Sequence, residues 1–535
     1  MVRSMPEASA VAVRDGKIIE VGTLETMAPW LDAHPHQVDE RFKDHVLLPG
    51  FIDPHLHPTL GALLMPCHFI TAMEWELPDR TSPAITNHKD YMARLKEFMS
   101  AMDDRDEVLV TWGFHRIWHG NVDRTALNTV SEERPIFVWQ RSFHEIIAND
   151  AAIEWMGLDR SELERHPQID LVSGRFFETG LAVATGALNK ILMRPERFNH
   201  GLNLVKQIVA LGGHTTIGEL AYPLFNDEME WGLLKSALER DDVPFRMKII
   251  NRGSLRGAFE GDIEDDLSRV AECESRQGKR LVMGNGIKLF TDGGFFAELM
   301  QMREPGFIDG HQGEWLMAPE AFEAHARAFW NAGKQIHVHC TGDLGLELAL
   351  DTLEKLQSER PRFNHRFTIE HFGVSSPEQV RRIADLGAIV SANIYYLHEL
   401  GEAYWTSSIG YERASQMARL GTLKEHSVTF ALHSDFCMAP AKPLNSAWVA
   451  VNRFTESGSV MGPLERISLE DALRAITIDA AYILGMEHEI GSIQAGKFAD
   501  FTVLEQDPYD IPIEHLRNIP IWGTVFEGQP YPLQP

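Results

Sequence analysis

The sequence predicts an α/β protein built on a closed, distorted (β/α)8 barrel of the TIM type, with a small composite β-sandwich formed from both termini. Eight short apolar, β-branched runs alternate with stretches of helical periodicity, which is typical of parallel βα units. Eight such strands favour closure into a barrel, and an open doubly wound sheet is the alternative. The expected strands are Val46–His57, Thr215–Leu220, Phe245–Asn251, Gly286–Phe290, Gln335–His339, Phe367–His371, Ala388–Asn393 and Val428–His433.

Two of the intervening helices carry boundary signals in the sequence. Ser376 is a suitable N-cap, Pro377 fits the first turn, and Gln379 is the capping-box partner of Ser376. Gly387 then ends the helix. Residues 319–331 place Phe and Ala side chains on one face, as expected for a helix packed on a sheet.

The two ends of the chain differ from the centre, because they are rich in short strands and turn glycines. The stretch Ala10–Val21 has two apolar runs around Asp15-Gly16, a strong hairpin signal. Residues 491–504 and 521–528 have the same character. The expected domains are a composite β-sandwich of residues 1–45 and 490–535, and a barrel of residues 46–489.

One connection is too long to be an ordinary βα loop. Residues from about 66 to about 200 follow the first expected strand and contain five tryptophans, including Trp75 and Trp112. We expect this segment to be an insertion that covers the mouth of the barrel.

The composition excludes several classes of function. Lysine and arginine total 50 against 77 aspartate and glutamate, so the formal net charge is −27 and the sequence pI is near 5.3. A surface this acidic repels phosphate backbones and anionic lipids, which argues against nucleic acid and membrane as partners. No run approaches the roughly 18 apolar residues that a membrane helix needs. We therefore expect a small-molecule substrate, and leave open a homo-oligomeric state.

The cysteines indicate the compartment. Cys67, Cys273, Cys340 and Cys437 lie far apart and form no CxxC pair. This spacing does not indicate a disulfide framework, and it fits a reducing environment. We therefore expect a cytoplasmic protein.

Chemistry-bearing residues gather at the ends of the expected strands. His55 and His57 end the first strand, and residues two apart on a strand face the same side, so the pair can offer two imidazoles to one metal ion. The carboxyl ends of barrel strands build the active site in this architecture. A single HxH pair is nevertheless more often structural than metal-binding.

Further strand ends repeat this pattern. Lys288, His371 and Asp435 lie in or directly after expected strands, and on the fifth strand His337 and His339 share a face, so either is a possible ligand. Each residue alone is more often a core histidine, a buried carboxylate or a snorkelling lysine. The ordered set His-x-His, Lys, His, His and Asp over five strand ends instead predicts a metal site lined by histidine and carboxylate.

These segments together resemble the amidohydrolase superfamily, and within it the amidohydrolase-3 branch of N-substituted formamide deformylase-like, metal-dependent hydrolases. The matching stretches are AVAVRDGKIIEVG, LPGFIDPHLH, GIKLFTDGG, HCTGD, IEH, HSD and AAYILGMEHEIGSIQAGKFADFTVL, which span almost the whole chain. The resemblance implies a distorted barrel with a composite β-sandwich. It also implies that the metal ligands are His55, His57, His339, His371 and Asp435, with Lys288 at the position of a lysine that many members carboxylate to bridge two ions.

The sequence departs from this branch at three places. The chain begins one strand later than is usual, Glu219 stands where Asp is common, and Asn393 to Tyr396 replace a Gln-Pro pair. The second and third departures concern substrate recognition rather than the metal ligands.

The resemblance implies hydrolysis of a C–N bond of the amide type in a small molecule. One or two divalent ions, with zinc the expected metal, make hydroxide available near pH 7 and polarise the substrate carbonyl. Asp435 is the expected general acid and base, and His371 or His339 assists at the carbonyl, with His371 the expected catalytic residue. The expected substrate contacts are His144, Trp112, Asp292, Phe295 and Tyr395.

Other functions fit the same residues. A hydrolase of an ester, lactone or carbamate would use an identical ligand set. A heterocycle deaminase is disfavoured by Lys288, because single-metal deaminases typically lack this lysine. A non-catalytic scaffold is disfavoured because every ligand position is occupied by a suitable residue.

Overall fold

The computed structural model describes residues 7–104, 107–253 and 263–533, so the first six residues of the predicted terminal domain lie outside the described part. Its centre is one sheet of eight parallel strands that neighbour each other in sequence order, with no switch point. This order confirms the predicted barrel and rules out the alternative, an open doubly wound sheet. The strands are β1 (Phe51–Asp53), β2 (His214–Tyr222), β3 (Arg246–Arg252), β4 (Leu281–Phe290), β5 (Gln335–Cys340), β6 (Thr368–His371), β7 (Ile389–Ala392) and β8 (Phe430–Leu432).

The sheet closes where the chain leaves β1 and β8. The Asp435 N–H donates to the His55 carbonyl (2.9 Å), and the His57 N–H donates to the Phe436 carbonyl (3.2 Å). The buried Asp53 carboxylate also accepts hydrogen bonds from the backbone N–H groups of His55 and Ser434. The closure is irregular, because these bonds join loop residues rather than strand residues, and it fixes His55, His57 and Asp435 against one another.

Helices follow the strands as the alternation predicts. The Ser376 capping box with Gln379 is present, and Gly387 adopts a φ of +70°, which ends the helix in the left-handed conformation that glycine accommodates. The helices associated with the barrel are Pro58–Leu64, Pro195–Leu211, Asp227–Leu238, Ile263–Glu274, Pro319–Asn331, Asp343–Glu359, Pro377–Leu386, Gly401–Ser407, Tyr411–Ala414, Leu420–Glu425, Pro443–Asn452, Leu469–Ala475 and Ile478–Ile483.

Strands from both ends of the chain lie together beside the barrel. The hairpin predicted at Asp15-Gly16 forms, and Ile18 from it packs with Phe501 and Val503 of an antiparallel four-stranded sheet. The strands are Ala10–Arg14 and Lys17–Gly22 in the hairpin, and Val46–Pro49, Phe501–Leu504, Ile521–Phe526 and Gln529–Pro532 in the sheet. The division of the chain into two domains at the stated boundaries stays a prediction.

The run Val46–His57, expected as one strand, is divided between two sheets. Val46–Pro49 pairs with the C-terminal strand Phe501–Leu504, and Phe51–Asp53 is the barrel strand β1. Gly50 lies at the crossing, where a Cβ atom would meet the Thr215 side chain at 2.0 Å. The prediction of a single strand was therefore wrong, because apolar character alone does not show that a chain passes from one sheet to another.

The segment between β1 and the helix Pro195–Leu211 carries its own six-stranded sheet. Its strands, in spatial order, are Ile169–Asp170, Arg175–Phe177, Glu145–Ala148, Ile136–Gln140, Leu109–Phe114 and His68–Phe69. Gln140 donates to the Phe296 carbonyl and Arg141 donates to the Met438 carbonyl, so the insertion contacts the loops that follow β4 and β8. None of the helices in the described ranges is long and apolar enough to cross a membrane.

Candidate metal centre

Three side chains converge where the barrel closes. The Nε2 atoms of His55 and His57 are 3.2 Å apart, and Asp435 Oδ1 lies 3.1 Å from His57 Nε2 and 3.6 Å from His55 Nε2. Ligands at about 2.0–2.1 Å from a tetrahedral ion are separated by about 3.3 Å, which follows from the tetrahedral angle. The three atoms therefore form a triangle of the size that one face of a metal site requires.

Carboxylates hold the two histidines in the orientation that a metal needs. His55 Nδ1–H donates to Glu370 Oε2 (2.8 Å), and His57 Nδ1–H donates to Glu219 Oε1 (2.9 Å). With each proton on Nδ1, both Nε2 lone pairs face the same point as the Asp435 carboxylate. A single proton can join only two of these three atoms in a hydrogen bond, whereas a divalent cation can bind all three. The donor set therefore fits a divalent ion.

Burial and charge act differently on the two imidazoles. Burial, reinforced by the charge of Lys288, lowers the pKa of His55 well below its ordinary value, so this side chain is neutral. Burial also disfavours the charged form of His57, but the carboxylates of Glu219 and Asp435 outweigh it and raise the pKa of His57 to about 9. In the absence of a cation, His57 is therefore protonated at neutral pH. Its positive charge then balances the carboxylates that a bound metal ion would otherwise balance.

A second group of buried side chains lies beside this triangle. The ring centroids of His339 and His371 are 4.4 Å apart, and His371 is 4.8 Å from His55. His433 stacks on His55 at 4.5 Å. Burial lowers the pKa values of His371 and His339 well below the ordinary value, and the charge of Lys288 adds to this effect. The structure thus brings every predicted ligand to one place inside the barrel, and adds His433.

Most side-chain polar atoms of this second group lack partners, although His339 Nε2 lies within hydrogen-bond distance of the Gly293 carbonyl oxygen (3.4 Å). Within the described residues, neither nitrogen of His371, neither nitrogen of His433, nor Lys288 Nζ makes a hydrogen bond. His371 Nδ1 lies 3.5 Å from Asp435 Oδ2 without hydrogen-bond geometry. Burial lowers the pKa of Lys288 to about 8 and that of His433 to about 4. Unsatisfied buried polar groups are unfavourable, so these atoms fit ligands of a metal centre better than core residues.

Backbone strain is concentrated at the same place. His371 has a φ of +71° and Asp435 a φ of +53°, in the left-handed region that side chains with a Cβ atom rarely adopt. His371 is the last residue of β6, and Asp435 lies three residues after the end of β8. Strained positions of this kind cluster at active sites, where the fold enforces an unfavourable conformation for a functional purpose.

Two of the predicted substrate contacts lie near the histidine cluster. His144, from the insertion, has its ring centroid 5.5 Å from that of His339, and its Nδ1–H donates to Glu178 Oε2 (2.7 Å). Phe295 stacks on Tyr396 with a centroid distance of 4.0 Å. The Tyr396 hydroxyl has a pKa well above its ordinary value because of burial and the nearby charges of Asp435 and Asp292.

The side chains of the other three predicted contacts are occupied by packing or by hydrogen bonds within the protein. Trp112 is fully buried against Phe69 and Trp75 in the insertion. The Tyr395 hydroxyl accepts a hydrogen bond from Asn445, so Tyr396 rather than Tyr395 faces the acidic residues of the site. Asp292 accepts hydrogen bonds from the backbone N–H groups of the loop after β5 and of Gln301, and so it fixes loops rather than facing open space. Substrate contact by these three residues stays a prediction.

Several residues of the centre were not singled out from the sequence for these roles. Glu370 joins His55 and His337 (2.8 and 2.7 Å), and Glu219 holds His57. A glutamate inside the four-residue strand β6, directly before a ligand histidine, was a usable signal for Glu370. His433 stands two residues before Asp435, in the same motif. Glu178 carried no local signal, because its role depends on the packing of the insertion.

Comparisons with known proteins agree with this geometry. The model of the amidohydrolase family matches residues 43–531. The chain is 24% identical to the protein LONG AFTER FAR-RED 3 of Arabidopsis thaliana, over 95% of this chain and 85% of that protein. It is also 24% identical to the N-substituted formamide deformylase of Arthrobacter pascens, over 97% of this chain and 94% of that protein.

The fold has a counterpart among solved structures. An uncharacterised metal-dependent hydrolase from Pyrococcus horikoshii superimposes with a TM-score of 0.70 at 21% identity, covering 94% of this chain and 95% of that chain. The family model covers most of the sequence, including all six predicted metal ligands. The resemblance to metal-dependent amidohydrolases found in the sequence is therefore confirmed, and the chain belongs to the amidohydrolase family.

Proposed function

We propose that this protein hydrolyses the C–N bond of a small amide-type substrate, with a divalent metal ion held by His55, His57 and Asp435. The observation that carries the proposal is the triangle of their ligand atoms, with edges of 3.2, 3.1 and 3.6 Å. The carboxylates of Glu370 and Glu219 accept hydrogen bonds from Nδ1–H of the two imidazoles. Each Nε2 lone pair is then free to bind a metal ion. This arrangement supports a bound cation more than a packed core.

The neighbouring residues provide for a second ion. His339 and His371 are the proposed ligands, and a carboxylated Lys288 would bridge the two ions, since a carbamate is an anionic oxygen ligand whereas an ammonium repels a cation. The unpartnered Lys288 Nζ supports this role. Zinc is the proposed metal, because imidazole nitrogen and carboxylate oxygen in a tetrahedral arrangement suit it.

The protein's own groups account for proton movement. A bound divalent ion supplies Lewis-acid catalysis and makes hydroxide available near neutral pH. Asp435, with its carboxylate at the centre of the cluster, takes the proton of the attacking water and delivers it to the leaving nitrogen. His371, with both nitrogens free of hydrogen bonds, is the second proposed catalytic residue and polarises the substrate carbonyl.

An amide is proposed as the substrate rather than an ester, lactone or carbamate. The support is the relative from Arthrobacter pascens, which is named for the deformylation of N-substituted formamides and matches nearly the whole chain. The metal ligands themselves do not distinguish these bonds, because each reaction needs the same activated water and the same polarised carbonyl.

A matched substrate panel tests the proposal. Purified metal-loaded protein is assayed with N-substituted formamides, N-acyl amides, carboxylic esters, lactones and carbamates, and release of ammonia from heterocycles is measured in parallel. We expect the highest kcat/KM on an amide. A preference for an ester or lactone would show that the substrate is not an amide. Release of ammonia alone would favour a deaminase. No turnover on any substrate would contradict the hydrolytic function.

The expectations about partners and location stay predictions. The four cysteines are buried and free in the structure, as a reducing compartment would allow. A small-molecule substrate, a cytoplasmic location and a homo-oligomeric state are parts of the proposal that need cell fractionation and measurement of the mass in solution.

A further inference from the structure

The segment that follows β7 is tied to the barrel at one end and to the insertion at the other. The Asn393 N–H donates to the His371 carbonyl (3.1 Å), and the Asn393 side-chain amide donates to the Ser434 carbonyl (3.2 Å). Further along the segment, Glu399 pairs with the buried Arg141 of the insertion at 2.5 Å. The residues between these contacts are therefore held between the ends of β6 and β8 and the insertion.

A π-helix begins in this segment at Tyr396. It runs over Tyr396–Leu400, and all of its residues are buried. Such turns are rare and are frequently found at functional sites. The irregular backbone sends two consecutive tyrosines in different directions, since the Tyr395 hydroxyl meets Asn445 whereas the Tyr396 ring meets Phe295 from the loop after β4.

Aromatic side chains of the loop after β4 hold the Tyr396 ring. The Phe295 ring lies parallel to it, with an interplanar angle of 7° and a centroid distance of 4.0 Å, and Phe296 packs edge-on at 5.6 Å. Gly373, two residues after His371, makes room for Phe295, because a Cβ atom at this position would meet the Phe295 ring at 2.4 Å. Packing therefore fixes the Tyr396 ring, and only its hydroxyl hydrogen can rotate.

The Tyr396 hydroxyl is a buried polar group without a partner in the protein. The residue is 2% exposed, and its hydroxyl makes no hydrogen bond to any described residue. The Tyr404 hydroxyl, on the same segment, instead donates to the Phe295 carbonyl (2.5 Å). The charged groups near the Tyr396 hydroxyl are Asp435, which is the proposed acid and base, and Asp292. Because an unpaired buried hydroxyl is unfavourable, this one is suited to a bound molecule beside Asp435.

We propose that the Tyr396 hydroxyl binds the substrate by donating a hydrogen bond to the carbonyl oxygen of its acyl group. Hydrolysis places this carbonyl beside Asp435, and the hydroxyl lies near the same carboxylate. A phenol has an ordinary pKa of about 10, so it carries its proton at neutral pH and donates without ionising. Phe295 is the positioning residue for the ring. This inference rests on the proposed function, because it assigns a contact to the acyl group of the same substrate.

The exchange of one atom in the substrate tests this hydrogen bond. The best amide of the panel is compared with its thioamide, in which sulfur, a weaker acceptor, replaces the carbonyl oxygen. Tyr396→Phe keeps the ring and its stacking but removes the hydroxyl. Because the amide oxygen then loses its partner, we expect kcat/KM on the amide to fall by about tenfold, and kcat/KM on the thioamide to fall by less than about twofold.

A second buried tyrosine provides the matched control. Tyr91 is fully buried but packs in the core of the insertion, so Tyr91→Phe should leave kcat/KM on both substrates unchanged. Metal content should be equal in the wild type and both variants, since neither tyrosine is a proposed ligand. An equal loss on the amide and the thioamide in Tyr396→Phe would contradict a hydrogen bond to the carbonyl oxygen, and so would wild-type kcat/KM on both.

A titration that needs no turnover separates this inference from the proposed function. Formate, acetate and benzoate carry the acyl group of a hydrolysed amide, and each is titrated into metal-loaded protein by calorimetry. A hydrogen bond to a carboxylate is charge-assisted, so we expect the Kd of the best probe to rise by about tenfold in Tyr396→Phe and to stay unchanged in Tyr91→Phe.

The titration also has outcomes that contradict the role of Tyr396. An unchanged Kd in Tyr396→Phe with full metal content overturns the inference, as does the absence of carboxylate binding to the wild type. If the wild type cleaves none of the panel, the proposed function fails, and the titration still decides for or against the contact with Tyr396.

Discussion

The histidine cluster has two halves that differ in how their side chains are held. In the half at β1 and β8, His55 and His57 each donate from Nδ1 to a buried carboxylate and converge with Asp435. In the half at β4 to β8, no side-chain nitrogen of Lys288, His371 or His433 makes a hydrogen bond within the described part of the chain. The first half is preorganised by the protein, whereas the second is not.

This difference indicates that only the second half needs a bound ligand to satisfy its polar atoms. Carboxylates fix the orientation and the protonation of the first half, so it presents its ligand atoms whether or not an ion is bound. The second half buries polar atoms without satisfying them, which is unfavourable unless a ligand binds there. We therefore expect the first half to bind a metal ion more tightly, and the second half to depend on the ion or on a carbamate at Lys288.

The largest expected effect comes from Asp435, which belongs to the first half and contacts both. Asp435→Asn keeps the size of the side chain but removes the base that accepts the proton. We expect kcat on the best amide substrate to fall by about 10²–10⁴-fold or more, with a smaller change in KM and an unchanged circular dichroism spectrum. Wild-type kcat in this variant would show that Asp435 is neither the base nor an essential ligand.

A smaller effect is expected from the carboxylate that holds His55. Glu370→Gln keeps the shape but presents an amide to His55 and His337, so the tautomer of His55 is no longer fixed. We expect the affinity of the tighter metal site to fall by about 10–100-fold, measured by competition with a chelator. Glu230→Gln is the matched control, because Glu230 is also buried but, among the described residues, accepts hydrogen bonds from backbone N–H groups alone. Equal losses in both variants would remove the distinction between the two halves.

The sequence predicted the positions that follow from strand periodicity and strand order. All eight barrel strands were expected, and His55, His57, His339, His371 and Asp435 meet because the carboxyl ends of parallel strands share one edge. The contacts between distant segments could not be predicted. His57 with Glu219, and His144 with Glu178, depend on the exact packing of the insertion and of β2, which local sequence does not encode. Tyr395 and Tyr396 show the same limit, because the irregular start of the helical segment after β7 decides which ring faces the site.

The smallest expected effect is the contribution of His214 to the loss of stability in acid. It concerns the barrel scaffold and is separate from loss of the metal ion. His214, at the start of β2, is fully buried, and its Nδ1–H donates to the Val209 carbonyl. Burial lowers the pKa of His214 from its ordinary value of about 6.5 to about 4, so between these pH values only the unfolded chain takes up the proton. The free energy of unfolding therefore falls as pH falls through this window.

Denaturant titrations of chelator-treated protein measure this effect. Between pH 6.5 and pH 5.5 we expect His214 to account for a loss of about 1 kcal/mol in the free energy of unfolding. His214→Gln should reduce the slope of stability against pH. An identical slope in wild type and His214→Gln would show that acid acts elsewhere, including on the cluster itself.

The most direct test of the account is the metal content of the double variant His55→Ala, His57→Ala. Metal is measured by mass spectrometry on protein purified without added chelator, with His144→Asn as a variant that should retain the ions. We expect the wild type to carry one or two equivalents of a divalent ion, and the double variant to carry at least one fewer and to lose hydrolysis. Full metal content with normal turnover in the double variant would contradict the assignment of the His55, His57 and Asp435 triangle as the metal centre.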